Sequence, residues 1–465
     1  MTSSAGRSKS GSAGYWPQPW SCEDGGPRRL CNPVGQAGPD IQPGERLVVE
    51  SFRDAFASDM LIRREPGELY ALRHDIPVGD PLAKSVDGWV EKLDPETLEV
   101  IVSSPRFPSG KYWPGGIAVH ANGDIYMVFG CWAHRLNPDL EVLVSRQLPV
   151  VDRPYNSFVI LDTGELVTKD CDAPDGLARS TLSILDPETL ESVAPELELP
   201  EPSIARLAAD GENVVVVGTE TVFRITLDRD AGKIVVDDTW RPRFGPAPGR
   251  SYGWDPVISD EHVFWMDQGR NSTDWTMRDS GDAPDPVRLW WARRDDADTI
   301  RSVEISGLPY GTESNPPAWD PVNGVVIGYD AGNAVLTARK LVGDELEPLW
   351  RRDDFAHAGH LILYPDTREL VVQDWRDLPL LRQPHLRRAI RPVLRFMGRA
   401  AVVRKHSKPI GYDQLVVLDL DTGIDKGRVD IPSPSQAFLF PAPGWGRDIY
   451  YQSMTSMARV TVTDR

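Results

Sequence analysis

Four aspartates stand at matching places in the chain, each near the end of a short apolar run: Asp170 in TKDCD, Asp267 in WMDQG, Asp330 in GYDAG and Asp374 in VQDWR. Carboxylates brought into a ring have two chemical uses. They can hold a hard cation, Ca²⁺ or another divalent ion, through oxygen ligands, or supply an acid and a base with separated pKa values. Asp267 and Asp330, each followed by a glycine-containing loop, are the first choices both as metal ligands and as catalytic groups. The competing use is structural, with each Asp accepting N–H groups from the turn that follows it. Recurrence at four places favours that use for the group as a whole.

A second set of chemistry-bearing residues lies in the segments that precede apolar runs: Lys111-Tyr112-Trp113, Tyr155-Asn156, Arg250-Ser251-Tyr252, Glu313-Ser314-Asn315 and His357-Ala358-Gly359-His360. Imidazole titrates near neutral pH and suits general acid–base work, which makes His360 the third catalytic candidate. On an extended strand the spacing of three sends His357 and His360 to opposite faces, so joint ligation needs a bend at Gly359. Tyr252, Glu313 and Asn315, with Asp170 and Asp374, are the expected ligand-binding residues. No G-x-S-x-G elbow, H-E-x-x-H helix, Walker loop or dinucleotide fingerprint occurs in a workable context.

The elements that must position these groups are short strands. The 41 prolines and 39 glycines in 465 residues indicate a turn-rich chain. GIAVHANGDIYMV from Gly116 is strand, Asn-Gly turn, strand, and FVILDTGELVT from Phe158 repeats it; further copies follow near Asp210-Gly211, Asn323-Gly324 and Asp366-Thr367. A second turn recurs as Leu93-Asp94-Pro95-Glu96-Thr97-Leu98, Leu136-Asn137-Pro138-Asp139-Leu140, Leu185-Asp186-Pro187-Glu188-Thr189-Leu190 and Leu418-Asp419-Leu420-Asp421-Thr422-Gly423. Two hairpins at a period of roughly 40 to 50 residues are the pattern of a propeller blade, which cannot bury both faces alone. The expected fold is all-β, a β-propeller of eight four-stranded blades over 45–465, or seven if the weak first strand of blade 1 is discounted. The last unit has three strands, and Arg46 to Phe52 is expected to add the fourth and close the ring.

On the turns LDPETLE, LDPETLES and LDLDTG, residues 45–465 resemble the YVTN and quinoprotein-alcohol-dehydrogenase-like propeller superfamily. The resemblance implies the architecture and, through its quinoprotein members, a quinone-dependent oxidoreductase. Those members carry adjacent cysteines over the quinone, repeated tryptophan docking motifs and an export signal, which are not evident in this sequence. Propeller hydrolases of the gluconolactonase kind, similar in architecture, hold a divalent metal at the channel mouth through Glu, Asn and Asp.

Three further stretches carry expectations. Residues 1–44, rich in Ser, Gly and Pro, read as a flexible leader with Tyr15, Trp16 and Trp20 as its docking points. Cys22, Cys31, Cys131 and Cys171 form no C-x-x-C pair and are expected as thiols. The insertion 376–412 in blade 7 contains a run from Leu380 to Lys408 with nine Lys and Arg and no acid. Arg391, Arg395 and Arg399 recur every four residues, predicting a basic amphipathic helix able to dock on a membrane surface or an acidic partner, or back on the propeller itself.

The net charge of −18 excludes a general nucleic-acid binder. With no apolar run of transmembrane length and no secretory signal, the chain is expected to be cytoplasmic. The leading functional expectation is a lidded small-molecule site at the channel mouth, with a cation-assisted hydrolase or lactonase-like activity. The alternatives are an interaction propeller docking through the insertion, and a quinone-dependent oxidoreductase.

Overall fold

The computed structural model describes residues 12–33, 35–55, 57–75, 86–111, 113–172, 178–245, 253–269, 281, 283–313, 315–355, 360–377, 411–432, 441–453 and 456–464. They form eight antiparallel sheets arranged as the eight blades of a propeller. Blade 1 runs from Ser58 to Ser103, blade 2 from Gly116 to Gln147, blade 3 from Tyr155 to Glu198 and blade 4 from Ala208 to Val236. Blade 5 runs from Val257 to Glu304, blade 6 from Ala318 to Arg352, blade 7 from Ile362 to Ile431 and blade 8 from Ala442 to Asp464. Each has four strands, and Phe107–Pro108 adds a short fifth to blade 1.

The ring closes as expected. Glu45–Asp54 pairs along Ser456–Asp464 as the outermost strand of blade 8, so the last blade takes strands from both ends of the described chain. An edge strand of blade 8 that would template aggregation is thereby paired.

The recurrent second turn has one physical basis. Asp94 Oδ1 accepts N–H from Glu96 and Thr97 and the Thr97 hydroxyl at 2.8–3.0 Å, and Asp186 and Asp419 repeat the arrangement with Thr189 and Thr422. The residue after the threonine must then turn left-handed: Leu98 has φ 64 and Leu190 φ 57, whereas the third copy uses Gly423 with φ 70. A left-handed leucine costs on the order of 1–2 kcal/mol. Leu98 and Leu190 offset that cost by being wholly buried.

The hydrophobic core is divided among the spaces between blades. Met60, Ile62, Val90, Ile117 and Met127 fill the interval between blades 1 and 2, and Val214, Val216, Ile184 and Leu207 that between 3 and 4. Tryptophans take part as expected: Trp319 stacks on Phe264 at 4.9 Å between centroids, and Trp265 meets Phe244 edge-on.

The reading of residues 1–44 as a flexible leader needs correction from residue 12 onward. Residues 12–33 run through the central channel and complete the free edges of the innermost strands. The amides of Arg63, Val119, Ala209, Ile258, Trp319 and Leu363, in six different blades, donate to carbonyls of Trp20, Ser21, Pro27, Arg28, Leu30 and Cys31 respectively. Ile160 N in blade 3 donates to the Tyr15 hydroxyl, and Gln36 Nε2 donates to Gly444 O in blade 8. Composition missed this because the segment is held by its backbone and by a few large or charged side chains, not by an apolar period. Inner strands with unpaired amides supply the matching demand.

Among the described residues there is no α-helix, only two 3-10 turns at Glu23–Gly25 and Ala297–Thr299. No described helix is long and apolar enough to cross a membrane. The predicted basic helix with Arg391, Arg395 and Arg399 lies outside the described residues, as does the connection 378–410 between the second and third strands of blade 7.

Candidate functional site

The two rims of the propeller differ in their connections. On one rim, strands 1 and 2 and strands 3 and 4 are joined by short turns such as Asn122-Gly123 and Thr163-Gly164. On the other, strand 2 runs to strand 3 across 75–86 in blade 1, 267–287 in blade 5 and 378–410 in blade 7. Long loops on a rigid scaffold are where binding residues concentrate. The amides bonded to the N-terminal segment come from the last two residues of the innermost strands or the residue beside them, so the segment stops the channel from the short-turn rim.

At its tip the segment turns at Glu23–Gly25 and places a buried charge cluster across the channel. Arg29, 1% exposed, pairs with Asp24 at 2.8 Å and with Glu23. Arg206 Nε lies 3.4 Å from Glu23 and Nη1 3.5 Å from Asp255. His360 Nδ1 meets Asp24 Oδ1 at 2.7 Å, and the Ser157 hydroxyl donates to Glu23. Burial works to raise the Asp24 carboxyl, but His360, with Arg29 and Arg206, holds it down at about 2. Cys22 and Cys31 beside the cluster are thiols pushed up by burial; Cys131 and Cys171 are buried thiols as well.

Arg206, Asp255 and His360 share a register. Each stands two residues ahead of the innermost strand of its blade, before Ala208, Val257 and Ile362. Aligning the blades on that strand finds Arg206 and Asp255, which turn spacing alone misses. Glu23, Asp24 and Arg29 carried a weaker signal, a charged run beside Trp20.

Each of the four aspartates is held by groups of its own blade or of the connection that leads into that blade. Asp170 Oδ1 accepts from Thr181 N, the first residue of strand 3, and Oδ2 pairs with Arg153 at 3.0 Å. Asp267 accepts from Gly269 N, Arg288 N and Trp290 Nε1 at 2.7–3.0 Å. Asp330 accepts from Ser306 Oγ, Thr312 N, Asn333 N and Asn333 Nδ2. Asp374 does not end its strand, which runs on to Asp377; its carboxylate pairs with Arg428 at 2.8 Å. Burial pushes Asp170, Asp267 and Asp330 upward despite these donors.

The structure therefore fits the structural use of these aspartates. Among the described residues no group of three or more His, Cys, Asp or Glu is placed to hold a metal ion.

Other predicted residues fall into two places. Glu313, fully buried, accepts from Asn315 N and Nδ2 at 2.8 and 2.7 Å. The preceding Thr312 bonds Asp330 through its amide and Gln268 through its hydroxyl, so Asp330, Glu313, Asn315 and the Asp267-Gln268 corner are neighbours between blades 5 and 6. His360 belongs instead to the channel cluster. Tyr252 and His357 lie outside the described residues.

Facing the long-loop rim, Cys171, Ile204 and Trp254 form an apolar cluster with Trp113 against it. Among the described residues, Asn156 Oδ1, Trp254 Nε1 and both amide atoms of Gln452 are buried on this side without a hydrogen-bond partner. Lys169 is also fully buried, with its Nζ donating to Ser203 O at 2.7 Å, and desolvation lowers its pKa to about 8.

No protein-family model matches the chain, and no curated protein matches it in sequence. Solved structures do match in shape. The quinohemoprotein alcohol dehydrogenase ADHIIG from Pseudomonas putida HK5 aligns with a TM-score of 0.59 at 10% identity, over 97% of this chain and 81% of that one. The likeness is one of β-propeller fold. The quinohemoprotein alcohol dehydrogenase from Comamonas testosteroni gives the same TM-score at 9% identity, again over 97% and 81%. BamB from Moraxella catarrhalis aligns at 0.46 with 13% identity, over 88% of this chain and all of that one. At these identities the likeness is one of fold, and a fold hosts many functions.

Proposed function

We propose that the propeller binds a small, polar, uncharged organic ligand at the long-loop mouth of its channel, above the floor made by Glu23, Asp24, Arg29, Arg206, Asp255 and His360. The observation that carries this reading is the unmet hydrogen-bonding capacity at the mouth. Gln452, Asn156 and Trp254 are buried and leave two donors and two acceptors unused, and such groups in a native protein call for a partner. Trp254 with Trp113 offers an apolar wall beside them. The cation-assisted hydrolase version has less support, because Asp267 and Asp330 are engaged by donors that a metal ligand would have to release.

The quinone-dependent reading rests on shape alone. Quinoprotein members hold the cofactor beneath adjacent cysteines, and here residues 22, 31, 131 and 171 are widely separated. That ring is absent from this chain, and no redox step follows from its residues.

The test is a thermal-shift screen with sugars, lactones, hydroxy acids and short alcohols, run on the wild type and on Gln452→Met and Asn156→Ala. The expected result is a saturable rise in Tm for a member of the panel that both substitutions weaken at least tenfold. Gln452→Met should itself be more stable than the wild type without ligand, since it removes a buried amide that has no partner. A panel without a saturable response, or responses that both variants retain, would count against the site.

A further inference from the structure

A groove distinct from the channel lies in the seam between blades 5 and 6. Strand 3 of blade 6, Val335–Val342, alternates its faces: Ala338 packs toward blade 7 with Leu336, and Leu341 toward blade 5. Arg339 falls on the blade 5 side, where the neighbouring positions Leu341 and Leu346 are apolar. A bulge between Ala338 and Arg339 sits at this point in the pairing with strand 4.

The guanidinium of Arg339 is about half buried and has one contact, Nη2 to the backbone oxygen of Glu304 at 3.3 Å. Among the described residues its Nε is buried without a partner and no carboxylate is in ion-pair contact with it. Desolvation and the nearby Arg351 both lower its pKa. Arg351 donates to Ser306 O at 2.9 Å and pairs with Asp353, while Arg288 pairs with Glu304 at 2.6 Å. These three arginines line an open groove of about 450 Å³ with Ser302, Ser306 and Gly307. Its lining carries three guanidinium groups against the single carboxylate of Glu304, on a chain whose net charge is −18.

We infer that this groove binds a small phosphate monoester, with the phosphoryl group on Arg339 between Arg288 and Arg351. A guanidinium that is partly desolvated, repelled by a neighbour and short of acceptors gains most from a multivalent oxyanion. A dianion offers three acceptor oxygens to several forks at once, whereas a lone carboxylate offers two in one plane. The volume is that of a small-molecule site, and Val303 and Ile305 add apolar surface beside the polar groups of the lining.

The experiment is calorimetric titration of the whole chain with phenyl phosphate and with inorganic phosphate at low ionic strength. Wild-type protein should bind phenyl phosphate saturably with 1:1 stoichiometry, weakening steeply as NaCl is raised. Arg339→Gln should reduce affinity at least tenfold, and Arg339→Lys should restore part of it. Arg288→Gln serves as a second variant should Arg339→Gln fail to fold. Arg146→Gln, in an exposed pair on blade 2, should bind as the wild type does. Failure of the wild type to bind either probe, wild-type affinity in both the Arg339→Gln and Arg288→Gln variants, or binding only to vesicles of phosphatidic acid would each overturn the assignment.

Discussion

His360 Nδ1 and Asp24 Oδ1 lie 2.7 Å apart although 336 residues separate them in the chain. Through this pair, Arg28 and Glu23, the N-terminal segment is bound by charge to blades 4, 5 and 7 and through the Ser157 hydroxyl to blade 3, as well as by backbone hydrogen bonds. Replacing Arg29 by Met would leave Glu23 and Asp24 buried without the guanidinium they share. A loss of about 3–5 kcal/mol is expected, the usual consequence of breaking a buried pair on one side. Urea denaturation measures it. Arg146→Met, which removes an exposed pair with Glu191, should change stability by less than about 1 kcal/mol.

Lys169 makes a prediction on the alkaline side. Its folded-state pKa of about 8 lies below the ordinary lysine value of 10.5. Between those two values the unfolded chain carries a proton that the folded chain does not, so stability rises as pH rises through this window. Below about 8 both states are protonated and the cost of the buried charge is fully present. Lys169→Met removes that cost, so unfolding free energies measured from pH 7 to 11 should lose the upward slope. A variant with the wild-type slope would show that Lys169 is not the group responsible.

His134 acts on the acid side. Burial lowers it from 6.5 to about 3, and its ring is stacked on Phe107 at 3.9 Å with Nδ1 on Ser145 Oγ. The unfolded chain takes up a proton below 6.5 that the folded chain refuses until about 3, so stability falls through that interval as pH drops. Asp24, held at about 2 against an ordinary 3.8, extends the fall further: its contribution is present above the unfolded value and lost as pH drops toward 2. Denaturation midpoints from pH 7 to 3 should decline less in His134→Phe than in the wild type.

Asp267 is predicted to matter for folding whatever binds at the mouth. Its carboxylate collects Gly269 N, Arg288 N and Trp290 Nε1. Asp267→Ala leaves these donors without their acceptor, with an expected cost of about 1–3 kcal/mol. Asp267→Asn should recover part of the loss, since its amide oxygen still accepts. Chemical denaturation of both variants, with metal content measured alongside, separates this role from cation binding: an unchanged stability coupled to loss of a bound ion would reverse the assignment.

The propeller was legible because its turns carry their mechanism in short range. Asp94, Asp186 and Asp419 organise the same loop through the same atoms wherever Asp and Thr stand three apart, and no distant residue is needed. Closure by the strand near Val48 followed from the need to pair an edge. The site was less legible. His360 could be singled out by type, but its partner Asp24 arrives from a segment whose composition reads as unstructured. What orders that segment is a set of inner-strand amides, and a pattern of amides leaves no trace in side-chain sequence. The four aspartates were visible as a set; their donors, Trp290, Asn333, Arg153 and Arg428, become evident only when the strands are paired.

The threaded segment also imposes an order on assembly. Residues 12–33 are made before any of the eight blades, yet Trp319 and Leu363, which receive Leu30 and Cys31, are made hundreds of residues later. A nascent chain can stack early blades on one another, but the channel that receives the first residues does not exist until the ring is nearly whole. These residues must wait outside, and the outer strand Glu45–Asp54 must wait with them for Ser456–Asp464. Contacts of such long sequence separation are paid for late and slowly. Closing the ring thus waits on segments made before any of its blades.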